Sequence, residues 1–288
     1  MKNRDRHALA VARFVSRPGG RVAYDVVGEG PLVVLVPGMG DARATYRFLA
    51  PDLASAGFRV ATMDLRGHGD SDTTFARYGD GETALDVAAV IETLQAPDAG
   101  VPTRPVVIVG SSTGAAAAVV VAVERAPLVG ALVLVGPLVR DTPGGWLQRQ
   151  LQQTATASWW AAATWRAYLP ALYAGRKPAD YEAYCAQRVA HLRRPGYARG
   201  FSRMARSRHA SAANLLPRVA VPTLVVMGEL DPNFADPEVE ARGVAEQVGN
   251  GRADLLLVPE AGHYPHAQRP DIVGPAVVAW LQQLNGRG

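Results

Sequence analysis

Short apolar runs alternate with helical patterns along this chain. Runs rich in Val, Leu and Ile have the length and composition of strands, several of them buried on both faces, and occupy residues 10–15, 21–27, 32–36, 59–65, 106–109, 131–135, 222–227 and 254–258. Apolar residues at helical spacing occupy residues 46–56, 83–94, 114–124, 237–248 and 271–284, and Thr45 is a suitable N-cap for the first of these segments. Because strands and helices alternate, the pattern predicts an α/β fold, a mostly parallel doubly wound sheet, with an edge hairpin or two short strands at its start.

One segment, residues 137–217, interrupts this alternation. It contains no strand-like run and holds four of the five tryptophans in helix-compatible stretches broken by prolines. A strandless segment between two core strands predicts a helical insertion over the strand ends. We therefore expect a core formed by residues 1–136 and 217–288 and a helical cap formed by residues 137–216. Ligands of open α/β sheets bind beyond the carboxyl ends of the strands, so a few cap rings should line a pocket, while the others form the cap's own core.

A sharp turn after the run at 106–109 carries the most reactive candidate side chain. Residues 110–114 read Gly-Ser-Ser-Thr-Gly and match G-x-S-x-G, in which the central serine stands on a strained strand-to-helix turn and the glycines avoid clashes. Ser112 is then held at the carboxyl end of the sheet. A serine nucleophile needs an adjacent base and N–H donors for the oxyanion, and the turn supplies the N–H of Thr113. The alternative is a small-residue turn that only packs a helix on the sheet.

A base and an acid that orients it are expected in loops after later strands, in the chain order serine, acid, histidine. Asp231 and His263 each follow a predicted strand, in that order. Either residue alone could be a helix cap or an ordinary loop histidine, but together with the serine turn they favour a catalytic triad. Asp231 is preferred to Glu229 and Asp236 as the acid, with Pro232 fixing the turn after it.

Five short motifs are spread over nearly the whole chain. They are PGMG at 37–40, DLRGHGDS at 64–71, the serine turn at 110–114, GELDP at 228–232 and AGH at 261–263. With these motifs the chain resembles the α/β-hydrolase fold family, in its serine-nucleophile branch with a helical cap. The resemblance implies Ser112 as the nucleophile, His263 as the general base and Asp231 as the group that orients the histidine. It also implies an oxyanion hole formed by the main-chain N–H groups of Met39 and Thr113.

The resemblance implies an activity as well. We expect a serine hydrolase, with no metal or organic cofactor, that cleaves a carboxylic ester or lactone of a small, largely apolar substrate through an acyl-enzyme. Hydrolysis of C–C bonds, perhydrolysis and a slow-turnover ligand receptor use the same serine machinery and remain open. Relatives with an aspartate nucleophile are disfavoured because Ser112 occupies that position. Pro37 stands where many members carry histidine, which affects local hydrogen bonding rather than the main-chain donor.

Two other binding chemistries find weaker support. Gly38 and Gly40 follow a strand, as in dinucleotide-binding turns, but Arg43 occupies the position of the third glycine. A metal site at His263 and His266 lacks a third ligand nearby. His68 is expected to brace its own loop.

Charge and composition narrow the class of partner. The net charge is +4, but residues 137–218 carry 13 Lys and Arg against 3 acidic residues, net +10, whereas the remainder carries −6. No nucleic-acid motif accompanies this basic segment, so it is either a solvated surface or a field that favours esters with a distal carboxylate or phosphate. One cysteine, Cys185, excludes an internal disulfide, and no apolar run fits a signal peptide or a membrane span. We expect a soluble, cytoplasmic protein that acts on a small ester-like molecule.

Overall fold

Eight strands form one sheet in the computed structural model, which describes residues 12–96, 104–141, 154–251 and 253–286. The strands are β1 (Arg13–Arg17), β2 (Gly20–Val27), β3 (Leu32–Val36), β4 (Arg59–Met63), β5 (Val106–Ser111), β6 (Val129–Val135), β7 (Thr223–Gly228) and β8 (Ala253–Val258). Their order across the sheet is β1-β2-β4-β3-β5-β6-β7-β8. The first strand begins later than predicted, and residues 10 and 11 lie outside the described ranges.

The sheet is mostly parallel, as predicted. β1 pairs with β2 and β2 with β4 in antiparallel fashion, whereas every later pairing is parallel. All five residues of β3 are buried, which explains its unbroken apolar sequence. The register pairs Val36 with Gly110 and Ser111 with Val135, so β3, β5 and β6 end side by side. The loops that follow these strands therefore meet at one edge of the sheet.

Helices cover both faces of the sheet. They are α1 (Leu49–Ser55), α2 (Asp80–Leu94), α3 (Thr113–Glu124), α8 (Pro237–Gln247), the short α9 (Pro265–Gln268) and α10 (Pro270–Asn285). One apolar cluster joins α2, α3 and α8 to one face, and a second joins α1 and α10 to the other. In the first turns of α3 four consecutive alanines are fully buried, and such small side chains let the helix lie close to the sheet.

Two helix predictions were wrong in their starting points. Residues Arg43–Tyr46 form a 3₁₀ turn and α1 begins only at Leu49, so Thr45 lies inside the turn and caps no helix. The Thr45 hydroxyl instead forms a buried hydrogen bond with Nε2 of His266, 3.0 Å away. A tertiary contact therefore engages the side chain that local sequence assigns to a cap. The second helix begins at Asp80, three residues before the predicted start at residue 83.

The described part of the segment between β6 and β7 is built mainly of helices joined by loops. It contains α4 (Ala161–Leu172), α5 (Tyr181–Leu192), α6 (Tyr197–Met204) and α7 (Ala210–Leu215), and its described part contributes no strand to the sheet. One isolated antiparallel bridge joins Gly175 to Ala261 in the loop after β8. The limits of a separate cap remain those of the sequence-based prediction, and Trp146 lies outside the described residues.

Aromatic rings of the segment between β6 and β7 differ in their burial. A buried cluster joins rings of α4, α5 and α6 to the loop after β8, and it contains Trp165, Tyr173, Tyr181, Tyr184, Phe201 and Tyr264. By contrast, Trp159 is 79% exposed.

Across the described ranges, no helix combines the length and the apolar content that crossing a bilayer requires.

Candidate active site

The turn between β5 and α3 holds Ser112 in a strained conformation. Its backbone has φ 55° and ψ −122°, a conformation that residues other than glycine rarely adopt. Its N–H donates to the carbonyl of Val135 at 2.9 Å. Neighbouring glycines make room for the turn, since a Cβ on Gly38 would lie 2.6 Å from that of Ser112 and one on Gly110 would clash with the Gly114 carbonyl. The serine side chain thus lies at the carboxyl end of the sheet, 6% exposed.

Asp231 and His263 form a buried pair at the same edge. Asp231 follows β7, His263 follows β8, and Nδ1 of the histidine lies 2.7 Å from Oδ2 of the aspartate. The His263 side chain is 4% exposed and the Asp231 side chain is 0% exposed. Because a carboxylate only accepts hydrogen bonds, Nδ1 carries the proton, and Nε2 of the neutral ring is left as an acceptor. This is the tautomer that a general base requires.

The structure brings the histidine beside the serine turn without joining the two side chains. The His263 ring packs on Gly136, where an added Cβ would lie 3.2 Å from Nδ1, and Gly136 directly follows the Val135 carbonyl that holds Ser112. The Ser112 hydroxyl forms no hydrogen bond with His263. Catalytic hydrogen bonds are often long in ligand-free proteins and tighten when substrate binds.

One of the two expected oxyanion donors is engaged within the protein. The N–H of Met39 donates to the hydroxyl of Thr113 at 3.0 Å. Thr113 is the first residue of α3, where a main-chain N–H has no acceptor within the helix. The N–H of Met39 therefore has a partner within the protein, whereas that of Thr113 has no acceptor within its helix. A substrate oxygen would have to displace the Thr113 hydroxyl from Met39.

The other acids near Asp231 have different positions. The Asp236 side chain accepts a hydrogen bond from the N–H of Val239 at 3.0 Å and so caps α8. Glu229 is exposed. Of the three acids that the sequence offered, only Asp231 contacts His263.

Asn233 is a member of this cluster that sequence reasoning missed. Its main-chain N–H and its Nδ2 donate to Oδ1 of Asp231, at 3.0 and 2.9 Å, and Nδ2 lies 2.9 Å from Nδ1 of His263. The available signal is the spacing Asp-x-Asn, since an aspartate often accepts from the backbone two residues later. The side-chain contact leaves no such mark in the sequence.

A pocket lies between helix α5 and its following turn on one side and the loops that follow β3 and β4 on the other. It is small, with a cavity volume of about 10 Å³, and partly open to solvent, and it is lined by Gly40, Asp41, Gly67, His68, Gly69, Arg188, His191, Leu192 and Tyr197. His68 braces its own loop as predicted, with Nδ1 3.0 Å from the Arg66 carbonyl, and its Nε2 has no partner. Burial lowers the pKa of His68 and, with nearby arginines, lowers that of His191 to about 4, so both rings are neutral at pH 7.

Arg188 is the unusual side chain of this pocket. It is 3% exposed, its Nε has no hydrogen-bond partner, and within the described ranges no carboxylate lies within ion-pair distance of it. Its guanidinium lies 5.2 Å from the ring centre of Tyr184, whose hydroxyl in turn donates to Asp41. A buried arginine without an ion-pair partner is uncommon because burying an unpaired charge is costly.

The metal site considered at His263 and His266 finds no third ligand among the described residues. In the part of the chain that the structure describes, no three His, Cys, Asp or Glu side chains are grouped so that they could hold a metal ion. Nε2 of His266 is bonded to Thr45, and burial lowers the pKa of His266 to about 3.

Comparisons with known proteins agree with this fold. The model of the family described as "Alpha/beta hydrolase family" matches residues 33–276. A probable esterase from Oryza sativa subsp. japonica is 28% identical over 271 residues, which cover 89% of this chain and 94% of that protein. A thermophilic esterase from Thermogutta terrifontis is similar in structure, with a TM-score of 0.76, 23% identity, and coverage of 96% of this chain and 99% of that one. An enol-lactonase from Burkholderia xenovorans has a TM-score of 0.74 and 23% identity, with coverage of 94% and 100%.

Proposed function

Because the chain belongs to the alpha/beta hydrolase family, we propose that it is a serine hydrolase that cleaves a carboxylic ester or lactone of a small, largely apolar substrate. The buried pair of Asp231 and His263, 2.7 Å apart beside the strained turn of Ser112, carries this proposal. The rice relative and the Thermogutta protein are named esterases, and the Burkholderia protein is named an enol-lactonase. These names support the same reaction class.

In the proposed mechanism the Ser112 hydroxyl attacks the substrate carbonyl. His263 takes the hydroxyl proton at Nε2, and the carboxylate of Asp231 stabilises the imidazolium that forms. The oxyanion is held by the N–H of Thr113 and by that of Met39, which exchanges the Thr113 hydroxyl for the substrate oxygen. His263 then protonates the leaving alcohol, and water hydrolyses the acyl-enzyme by the same steps in reverse order.

A set of p-nitrophenyl esters of increasing acyl length, assayed with and without a serine-reactive phosphonate, tests this proposal. Ser112→Ala should abolish both labelling and turnover, with kcat falling on the order of 10⁴-fold, because triad losses have this size. Ser111→Ala is the matched control, since its buried hydroxyl has no partner, and its effect should be small. More than about a tenth of the wild-type rate in Ser112→Ala would end the assignment. Labelling of the wild type without turnover would favour a receptor instead.

Arg188 favours a narrower second candidate, an ester that carries a distal carboxylate. The pocket that this arginine lines also contains Gly40 and Asp41, which directly follow the proposed oxyanion donor Met39. A substrate carboxylate could supply the ion-pair partner that the guanidinium lacks. Asp41 opposes an anion there, although its own carboxylate already accepts hydrogen bonds from Tyr184 and from the N–H of Ala42.

A further inference from the structure

A chain of hydrogen bonds links the triad acid to the cap through Asn233. Oδ1 of Asp231 accepts both the main-chain N–H and Nδ2 of Asn233, while Oδ2 faces His263. On its other side, Oδ1 of Asn233 accepts the hydroxyl of Tyr168, 2.9 Å away, and Tyr168 belongs to helix α4. The four side chains form one continuous line from the cap to the histidine.

The surroundings fix the orientation of the Asn233 amide. If the amide were reversed, its carbonyl oxygen would face Oδ1 of Asp231, and two acceptors would meet at 2.9 Å. In the observed orientation Nδ2 donates to the aspartate and the carbonyl oxygen accepts from Tyr168. The 2.9 Å approach of Nδ2 to Nδ1 of His263 is then a contact between two N–H groups and not a hydrogen bond.

This arrangement gives the two oxygens of the Asp231 carboxylate different partners. With two donors on Oδ1, that oxygen is held in place, and Oδ2 is the one presented to the imidazole. The two Asn233 donors therefore set the rotation of the carboxylate, and the Tyr168 hydroxyl holds the carbonyl end of the same amide. Orientation of the base by the acid affects the transition state much more than substrate binding.

We propose that Asn233 is a positioning residue of the triad, and that Tyr168 couples its position to the docking of α4, so that the acid is oriented only while the cap is in place. This inference rests on the proposed serine hydrolase function.

The expected signature of Asn233→Ala is a fall in kcat of about tenfold with little change in KM. The acidic limb of the pH profile of kcat/KM should also move to higher pH. The reason is that the partial positive charge of the Nδ2 group faces the imidazole, so its removal favours the protonated ring. The charged side chain in contact with His263 is Asp231, which remains in the variant. A purely structural role would lower the amount of folded protein without moving this limb.

Tyr168→Phe tests the coupling to the cap, since it removes only the hydroxyl of a partly exposed residue. We expect a smaller fall in kcat, about threefold, and a shift of the limb in the same direction. The double variant should be no slower than Asn233→Ala, because Tyr168 acts through Asn233. Independent, additive losses in the double variant would overturn the coupling.

Controls separate this inference from the proposed function. Asn214→Ala, at an exposed position of α7, should leave kcat and the pH profile unchanged. Phosphonate labelling of Ser112 in every variant measures how much of the protein has a competent nucleophile. Normal labelling together with a wild-type kcat and pH profile in Asn233→Ala would overturn the positioning role and leave the hydrolase intact. Absence of labelling in the wild type would count against the hydrolase itself. Should Asn233→Ala fail to fold, the limb position in Tyr168→Phe decides.

Discussion

The hydroxyl of Thr113 occupies a position that the proposed mechanism needs for a substrate oxygen. It accepts the N–H of Met39 at 3.0 Å. If the hydroxyl only holds this place until substrate arrives, Thr113→Val should keep kcat for p-nitrophenyl esters within about threefold of wild type, because one exchanged hydrogen bond changes little free energy.

A tenfold or larger loss in Thr113→Val would contradict that view. It would mean that the hydroxyl itself donates to the oxyanion, since removal of one oxyanion donor costs on the order of 100-fold or more. Thr113→Ser is the control, because it retains the hydroxyl and the main-chain donor. Steady-state kinetics of the three proteins on one ester distinguish these outcomes.

Residue-level prediction succeeded where strand order determines position. Asp231 and His263 could be expected to meet because each follows a strand of one parallel sheet, and the carboxyl ends of such strands share an edge. Asn233 and the engaged N–H of Met39 could not be predicted, because they depend on where single side chains point after the loops have folded. The catalytic roles of Ser112, Asp231 and His263 remain predictions.

Between elements, the contact of Thr45 with His266 links the turn after β3 to α9. Burial lowers the pKa of His266 to about 3, with Arg47 and His263 adding smaller effects in the same direction. The folded state therefore keeps this ring neutral where the unfolded chain, with an ordinary pKa near 6.5, takes up a proton. The contribution of His266 to stability is complete above about pH 6.5 and is lost as the pH falls towards 3.

His266→Gln should reduce the acid sensitivity of the fold. At pH 5 the unfolded chain binds a proton at position 266 that the folded state does not, which costs about 2 kcal/mol relative to pH 7. The variant lacks this term, so its free energy of unfolding should fall less than that of the wild type between pH 7 and pH 5. Urea unfolding at the two pH values measures the difference.

Thr45→Val is the matched control for that experiment. It removes the hydroxyl partner of Nε2 but leaves the ring buried, so it should lower stability at both pH values and preserve the wild-type pH dependence. An equal fall in stability with pH for His266→Gln and wild type would contradict the assignment of the effect to this histidine.

The same contact shows what the pattern of elements could and could not predict. The strands and the long helices follow from apolar periodicity, because burial on the sheet imposes that spacing. The start of α1 does not, because the residues before it are held by His266 from a helix more than two hundred positions away.

At the scale of the whole molecule, part of the uneven charge is used in ion pairs between the segment that links β6 to β7 and the rest of the chain. Basic residues of the cap segment pair with acidic residues of the core in Arg140–Glu240, Arg176–Asp271 and Arg194–Asp70. These pairs are partly or largely exposed, so each contributes little to stability. They also show that three of the 13 basic residues, which were predicted to form either a solvated surface or a substrate field, have acidic partners in the core.

Arg188 remains a buried cation with no ion-pair partner among the described residues, and it provides a test of the anionic-substrate proposal. A p-nitrophenyl hemisuccinate and its methyl ester differ only in the distal carboxylate. The wild type should favour the hemisuccinate by about tenfold or more in kcat/KM, because a carboxylate paired with a desolvated guanidinium makes charge-assisted hydrogen bonds. Arg188→Gln should lose this preference and keep its rate on the methyl ester. Arg193→Gln, an exposed neighbour on the cap, should keep both.

The salt dependence separates a direct contact from a long-range field. Exposed charges are screened within about 8 to 10 Å at ordinary ionic strength, so a preference that arises from the cap surface should disappear in about 0.5 M salt and survive in Arg188→Gln. A preference that arises from a buried pair with Arg188 should persist in salt and vanish in that variant, since a buried pair is screened much less. Equal rates of the wild type on the two esters at low salt would remove the anionic substrate while leaving the proposed triad untouched.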